Sequence, residues 1–237
     1  MDEQRTEDWF SARLGKVTAS RVADVLARTK TGYSASRANY LTQLVLERIT
    51  GTKAEGYVNA SMQWGIDQEP FARAAYEASK GVLVDEVGFI PHPTIEASGA
   101  SPDGLVGADG MVEIKCPDSK TALECWLSAD PVESKYFSQM QWQMACAGRF
   151  WCDYVVFDPR MPAKAQLFVH RVERDEKWIK ETEVEVKKFL AEVDDVIPLK
   201  EGGWDGWAYM NDPKPKEGLT VPQRQPVDFD DDIPDFN

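Results

Sequence analysis

The sequence predicts an α/β fold in which a helical N-terminal part leads into a central mixed β-sheet flanked by helices. Apolar residues before position 80 recur mainly at helical spacing, whereas from Gly81 onward short alternating or β-branched runs dominate. Two helical stretches interrupt those runs and a long, charged amphipathic one follows them, as expected where helices pack on a sheet. At 237 residues the chain can bury one sizeable core.

Taken in order, residues 9–14 make a short amphipathic start, and Thr18 and Ser20 offer capping hydroxyls to a helix over 21–28. Residues 29–36, with Lys30, Gly32 and Ser34, read as a loop. Leu41, Leu44, Val45 and Ile49 place a helix over 37–49, ended by Gly51. A further helix over 60–79 turns Trp64, Phe71, Ala75 and Tyr76 to one side. Strands are expected over 82–90, 96–101, 105–106, 111–116, 151–157 and 166–172, and helices over 120–128, 132–147 and 175–193. Residues 1–203 read as a single domain. Residues 204–237, Pro-rich and acidic, are expected to form a flexible tail.

Composition excludes several classes of function. Two histidines, His92 and His170, leave little material for a His-based zinc site or a Ser-His-Asp triad. Four cysteines without metal-ligand spacing, and no secretory signal, fit reduced thiols in a cytosolic protein. No apolar run is long enough to span a bilayer. The net charge of −13 argues against a broad basic surface for nucleic acid. Residues 211–237, however, hold seven acidic and three basic side chains, so four of the surplus charges belong to the tail. A narrow basic track on an acidic body is the arrangement expected.

The chemistry centres on Ser101-Pro102-Asp103-Gly104 and on Glu113-Ile114-Lys115-Cys116-Pro117. Glu113 and Lys115 are two apart on a strand, which sends both side chains to one face. Asp103 precedes a turn marked by Gly107, Asp109 and Gly110, so a hairpin can bring its carboxylate back beside Glu113. Two carboxylates, with the Ile114 carbonyl between the strand side chains, offer the oxygen ligands that Mg²⁺ takes. Lys115 would lie against the attacking water, where its ammonium can orient it or, with a depressed pKa, deprotonate it. Taken alone, Glu-x-Lys on a strand is more often a solvated face; the surrounding apolar strand sequence and the Pro-Asp-Gly turn favour a site. Three further candidates lie elsewhere in the chain. Glu69 sits on the helix before the sheet, as either a supporting carboxylate or an exposed helix residue. Gln139 and Gln143 share a helix face at i,i+4, either to hold water or phosphate or as a plain polar face.

The order Asp, then Glu-x-Lys is that of the restriction-endonuclease-like PD-(D/E)xK nucleases. Together with Arg13-Leu14-Gly15, Val17-Thr18-Ala19-Ser20, Trp64-Gly65 with Glu69, Gln139-x-Gln141 and Asp158-Pro159-Arg160-Met161, it resembles the lambda-exonuclease-like YqaJ viral recombinase family over residues 9–193. The resemblance implies a restriction-endonuclease-like core. It also implies a Mg²⁺-dependent, processive 5′-to-3′ exonuclease on double-stranded DNA, leaving 3′ overhangs for phage recombination by strand annealing. Two Mg²⁺ ions, with Mn²⁺ as a substitute, would be held by Asp103, Glu113 and the Ile114 carbonyl, beside the catalytic Lys115. Glu69 and Gln139 match the supporting carboxylate and glutamine. Arg13, Ser20 and Ser101 match the pocket for the 5′-phosphate; Ser20 would lie at a helix N-terminus, which favours an anion. Lys30 stands where the family has an arginine reaching for the minor groove, and Met62 where it has a leucine wedge.

The same resemblance implies a ring-shaped homotrimer around duplex DNA ends, a single-strand annealing protein as partner, no membrane association, and the cytoplasm of a bacterial host. Two other readings remain open: a structure-selective or repair endonuclease of the same fold, and a non-enzymatic DNA mimic or adaptor. The closing segment, with Phe229, Ile233 and Phe236 among five aspartates, resembles the acidic tip of bacterial single-stranded DNA-binding protein. It is a candidate contact for the annealing protein.

Overall fold

The computed structural model describes residues 4–53 and 59–197, within a compact unit spanning Met1–Pro198. The expected boundary at Gly203 and the acidic tail lie outside the described residues.

The chain opens with α1 (Glu7–Arg13), whose N-cap Thr6 accepts from the Trp9 amide at 3.2 Å. There follow β1 (Val17–Thr18), a 3-10 turn over Ala19–Arg21 and the short helix α2 (Val22–Leu26). The helix expected over 21–28 is therefore shorter, and Ser20 lies in the 3-10 turn rather than at an α-helical N-terminus. The cause is competition: Val17 and Thr18 are drawn into a sheet, and Ala27 already has extended backbone leading to a hairpin. That hairpin, β2 (Arg28–Thr29) and β3 (Gly32–Tyr33), replaces the expected loop and turns at Lys30-Thr31. The Thr29 hydroxyl closes the turn on the Gly32 carbonyl at 3.3 Å.

Next come α3 (Ala35–Thr50), ended at Gly51 with φ +64°, and α4 (Ala60–Lys80), capped by Asn59. The strand expected over 82–90 is reduced to β4 (Ile90–Pro91) and one isolated bridge, Asp85 to Leu105. Its alternating valines do pack: Val82 and Val84 rest against the core under α4, but the Val84 amide is taken by the Glu77 carboxylate at 2.8 Å instead of a neighbouring strand. The rest of the chain runs through β5 (Ser98–Ala100), β6 (Gly104–Val106), β7 (Gly110–Lys115), α5 (Ser119–Leu127) and α6 (Ser134–Ala147). It ends in β8 (Trp151–Phe157), β9 (Leu167–Glu173) and α7 (Glu176–Val196).

The mixed sheet is β6-β7-β8-β9, with antiparallel, parallel and antiparallel pairings in that order. A smaller sheet places β5 between β1, parallel, and β4, antiparallel. Alternation along β7 assigns its two faces. Val112 and Ile114 pack with Ala72 and Tyr76 of α4, while Met111 packs with Met140 and Met144 of α6. Glu113 and Lys115 share the Met111 parity and so face α6. A third core joins α2, α3, α6 and α7 around Trp142, whose indole N–H donates to the Ser98 hydroxyl at 3.1 Å and whose ring stacks on His92. Among the described residues no helix is long and apolar enough to cross a membrane.

Candidate active site

The hairpin β6–β7 delivers the two carboxylates. Its register pairs Gly104 with Val112 across a turn at Gly107, φ +57°, so Asp103 falls beside the middle of β7. There its Oδ2 accepts from the Ile114 amide at 2.6 Å. The Ile114 amide thus anchors Asp103, leaving the Ile114 carbonyl, the expected ligand, as a separate group of the same residue.

Glu113 is buried, 1% exposed, and a buried carboxylate must be heavily hydrogen-bonded. Lys115 and Gln139 both donate to its Oε1, Gln139 at 2.6 Å, and Gln143 donates to its Oε2 at 2.7 Å. The i,i+4 spacing of the two glutamines on α6 is what lets both reach one carboxylate. Gln141 points elsewhere, clamping the start of α7 through the Glu173 carbonyl and the Asp175 amide. Gln143 keeps one buried oxygen, Oε1, without a hydrogen-bond partner.

The electrostatics follow from burial and like charge. Burial and the Glu113 carboxylate push the Asp103 carboxyl well above its usual range, with Glu69 adding to the push and Lys115 opposing it. Burial works against the Lys115 ammonium, but Glu113 and Asp103 outweigh it and raise its pKa. Lys115 in this arrangement is a firmly held cation rather than a ready base. Burial pushes the Cys116 thiol up to about 12, and its side chain packs under α4, so it is inert.

A second group abuts the first. The Ser101 hydroxyl accepts from Arg13 at 2.8 Å and from the Trp9 indole at 2.9 Å, while the Arg13 guanidinium lies over the Trp9 ring, 4.1 Å from its centroid. Burial lowers the Arg13 pKa against the longer-range pull of Glu47, and among the described residues Arg13 makes no ion pair, so its guanidinium lines the cleft without a bonded carboxylate. One cleft of about 170 Å³ is lined by Arg13, Ser20, Ser101, Asp103, Glu113, Lys115, Gln139 and Gln143, with Trp9 and Ala19.

Three expected residues stand apart from that lining. Glu69, on α4, is held by Arg73 at 3.0 Å and Arg5 at 2.6 Å, although its charge is felt at Asp103. Met62 lines an adjoining cavity of about 370 Å³ with Trp9, Phe10 and Lys53. Lys30 is exposed at the hairpin tip. Gln143, a candidate by its shared face with Gln139, is in the site, and Trp9, which the sequence does not single out, belongs to it as well. The signal for Trp9 is spacing: it lies four residues before Arg13 on the same helix.

The donor set fits a hard cation. A buried carboxylate, Glu113, and a half-buried one, Asp103, share the cleft, no histidine or cysteine lines it, and the mutual repulsion at Asp103 is relieved by a positive ion. Among the described residues no three His, Cys, Asp or Glu side chains converge as a metal cage. An ion here would complete its shell with water and substrate oxygens, as Mg²⁺ commonly does.

Comparison with known proteins places this site in a family. The YqaJ-like viral recombinase domain matches residues 8–150. An alkaline exonuclease from Laribacter hongkongensis is 53% identical, with a TM-score of 0.74 over 81% of this chain and 94% of that one. Its complex with dAMP matches over the same shares at a TM-score of 0.75. A phage-related exonuclease from Haemophilus somnus 129PT, 16% identical, shares the fold at a TM-score of 0.63, over 76% of this chain and 94% of its own. No curated protein sequence matches. The fold is the restriction-endonuclease-like arrangement of these exonucleases, and the chain belongs to the YqaJ-like viral recombinase family.

Proposed function

We propose that the protein is a Mg²⁺-dependent 5′-to-3′ exonuclease acting on the ends of double-stranded DNA, processively, to leave 3′ overhangs for phage recombination. The observation that carries this is the cleft joining Asp103, Glu113 and Lys115 to Arg13, which makes no ion pair among the described residues and donates to Ser101. A cleavage centre next to a cationic pocket suits removal of nucleotides from an end that carries a phosphate.

Asp103 and Glu113 would hold the ion, with Mn²⁺ able to replace Mg²⁺. When bound, such an ion offsets charge on the scissile phosphate and acidifies a water molecule. The chain's own residues do the positioning. Gln139 and Gln143 fix the Glu113 carboxylate, Lys115 presents its ammonium to the phosphate and attacking water, and Arg13 with Ser101 and Ser20 receives the terminal phosphate.

Direction of digestion decides between this reading and an endonuclease of the same fold. Linear duplex labelled at its 5′ ends should lose label at the earliest times, 3′ label should persist, and closed circular duplex should stay intact. Cutting of the closed circle would favour the endonuclease.

Arg13→Ala should shrink the preference for 5′-phosphoryl over 5′-hydroxyl ends by roughly tenfold or more, the worth of one charge-assisted bond lost from a phosphate. Competition digests of the two substrates measure this, and an unchanged preference would reassign Arg13 to a structural role.

In the cell the partners would be duplex DNA ends and a single-strand annealing protein, in the cytoplasm of a bacterial host. Enclosure of DNA by a homotrimer would keep an acidic enzyme on its substrate without a large basic surface. Light scattering should give a mass near three chains; a monomer at all concentrations would refute the ring.

A further inference from the structure

A strap of chain crosses from the site's carboxylate turn to its phosphate helix. The Gln4 side-chain amide donates to the Val87 carbonyl at 2.9 Å and to the Pro102 carbonyl at 2.8 Å, immediately before Asp103. Arg5 follows with φ +69°, the one non-glycine residue at positive φ among the described residues. Thr6 then caps α1, the helix of Trp9 and Arg13. Between these anchors the Arg5 guanidinium reaches Glu69 Oε2 at 2.6 Å, while Arg73 holds Glu69 Oε1 at 3.0 Å.

Stability does not account for this contact. A left-handed backbone at a residue with a Cβ is strained, and persists only where neighbouring contacts impose it. The ion pair it delivers is lopsided, with Arg5 46% exposed against 15% for Glu69, and a pair with one exposed partner contributes little to stability. The strained residue therefore gains little stability from its own side chain. What the side chain does secure is Glu69, which would otherwise be held on one oxygen only.

We infer that Arg5 is a positioning residue that clamps Glu69 against Arg73 from the solvent side and offsets its negative charge near Asp103. The inference rests on the nuclease reading, in which Asp103 and Glu113 hold a divalent cation. Two consequences have opposite signs. Removing Arg5 leaves Glu69 free to swing, which misplaces it for the reaction. It also leaves the Glu69 charge uncompensated near Asp103, and an unpaired carboxylate there strengthens the hold on a divalent ion, whereas the charge of the exposed Arg5 side chain is itself largely screened by solvent.

The test uses the full chain and Mn²⁺ as probe. Calorimetric titration without DNA should show Arg5→Ala binding Mn²⁺ roughly threefold to tenfold more tightly than wild type, the size of one unit charge acting across a partly solvated cleft. Digestion by the same variant should be several-fold slower in kcat with KM for DNA unchanged, and Arg5→Lys should recover most of both effects. In a Glu69→Gln background the Arg5→Ala effect on Mn²⁺ affinity should fall below twofold, because the clamp acts through Glu69. Arg5→Gly, which removes the side chain and the strain together, should match Arg5→Ala in Mn²⁺ affinity while melting at a higher temperature.

Unchanged Mn²⁺ affinity in Arg5→Ala overturns the inference. So does an Arg5→Ala effect that persists in full when residue 69 is glutamine, since that would be a general structural effect. Should the wild type bind Mn²⁺ yet digest no DNA, the nuclease reading falls, and the Mn²⁺ cycle by itself still decides the clamp.

Discussion

Lys115→Ala is expected to slow duplex digestion by roughly a thousandfold or more, since it removes one part of a unit whose members do not act additively. The protein should still fold and bind DNA. The Lys115 side chain is 26% exposed and caps the carboxylates rather than supporting the core, so its loss leaves the sheet intact. Glu113 behaves differently. It is 1% exposed and accepts from Lys115, Gln139 and Gln143, so Glu113→Ala strands several donors in the interior and destabilises by about 3–5 kcal/mol while abolishing activity. Glu113→Gln, which keeps the volume and an acceptor, is the better probe of chemistry. Digestion assays paired with thermal melts separate the effects; near-native turnover by Lys115→Ala would remove it from the catalytic machinery.

Trp142→Ala should cost about 3–5 kcal/mol of stability through packing alone, because it empties the volume of a fully buried indole. For a domain of this size that corresponds to a fall in melting temperature of about 10 °C. The loss extends beyond volume. Trp142 holds the Ser98 hydroxyl, which donates to the Val17 carbonyl at 2.8 Å, so one side chain ties α6 to β5 and β1. Both strands lead toward the phosphate pocket, to Ser101 and Ser20. Trp142→Phe should recover most of the packing and leave a deficit of about 1 kcal/mol for the lost hydrogen bond. Calorimetric melting of both variants measures this, and equal deficits in the two would mean that the hydrogen bond, not the volume, matters most.

These two residues mark what the sequence could and could not reveal. Period-2 alternation put Glu113 and Lys115 on one face, and the glycine-marked turn brought Asp103 back to them, because both inferences are local. The i,i+4 spacing of Gln139 and Gln143 gave their shared face but not its target, since Glu113 is 26 and 30 residues away. Gln4 and Arg5 were invisible for the same reason: their partners lie between 64 and 98 residues along the chain. Strand length set the other limit. The two-residue strands β1, β2 and β3 carry no periodicity to read, and the alternating valines of residues 82–90 pack like a strand while one of their amides goes to a glutamate. Ser20 was misplaced because pairing of Val17 and Thr18 with β5 delays the helix that follows.

The most direct test of the proposed chemistry is digestion of linear duplex DNA bearing 5′-phosphoryl or 5′-hydroxyl ends, with Mg²⁺ and with excess chelator, reading products by mass. A metal-dependent exonuclease with an end-phosphate pocket predicts 5′-mononucleotides released with Mg²⁺, faster from phosphoryl ends, and none with chelator. Equal digestion in the chelator, or no digestion of either substrate with Mg²⁺, would contradict it.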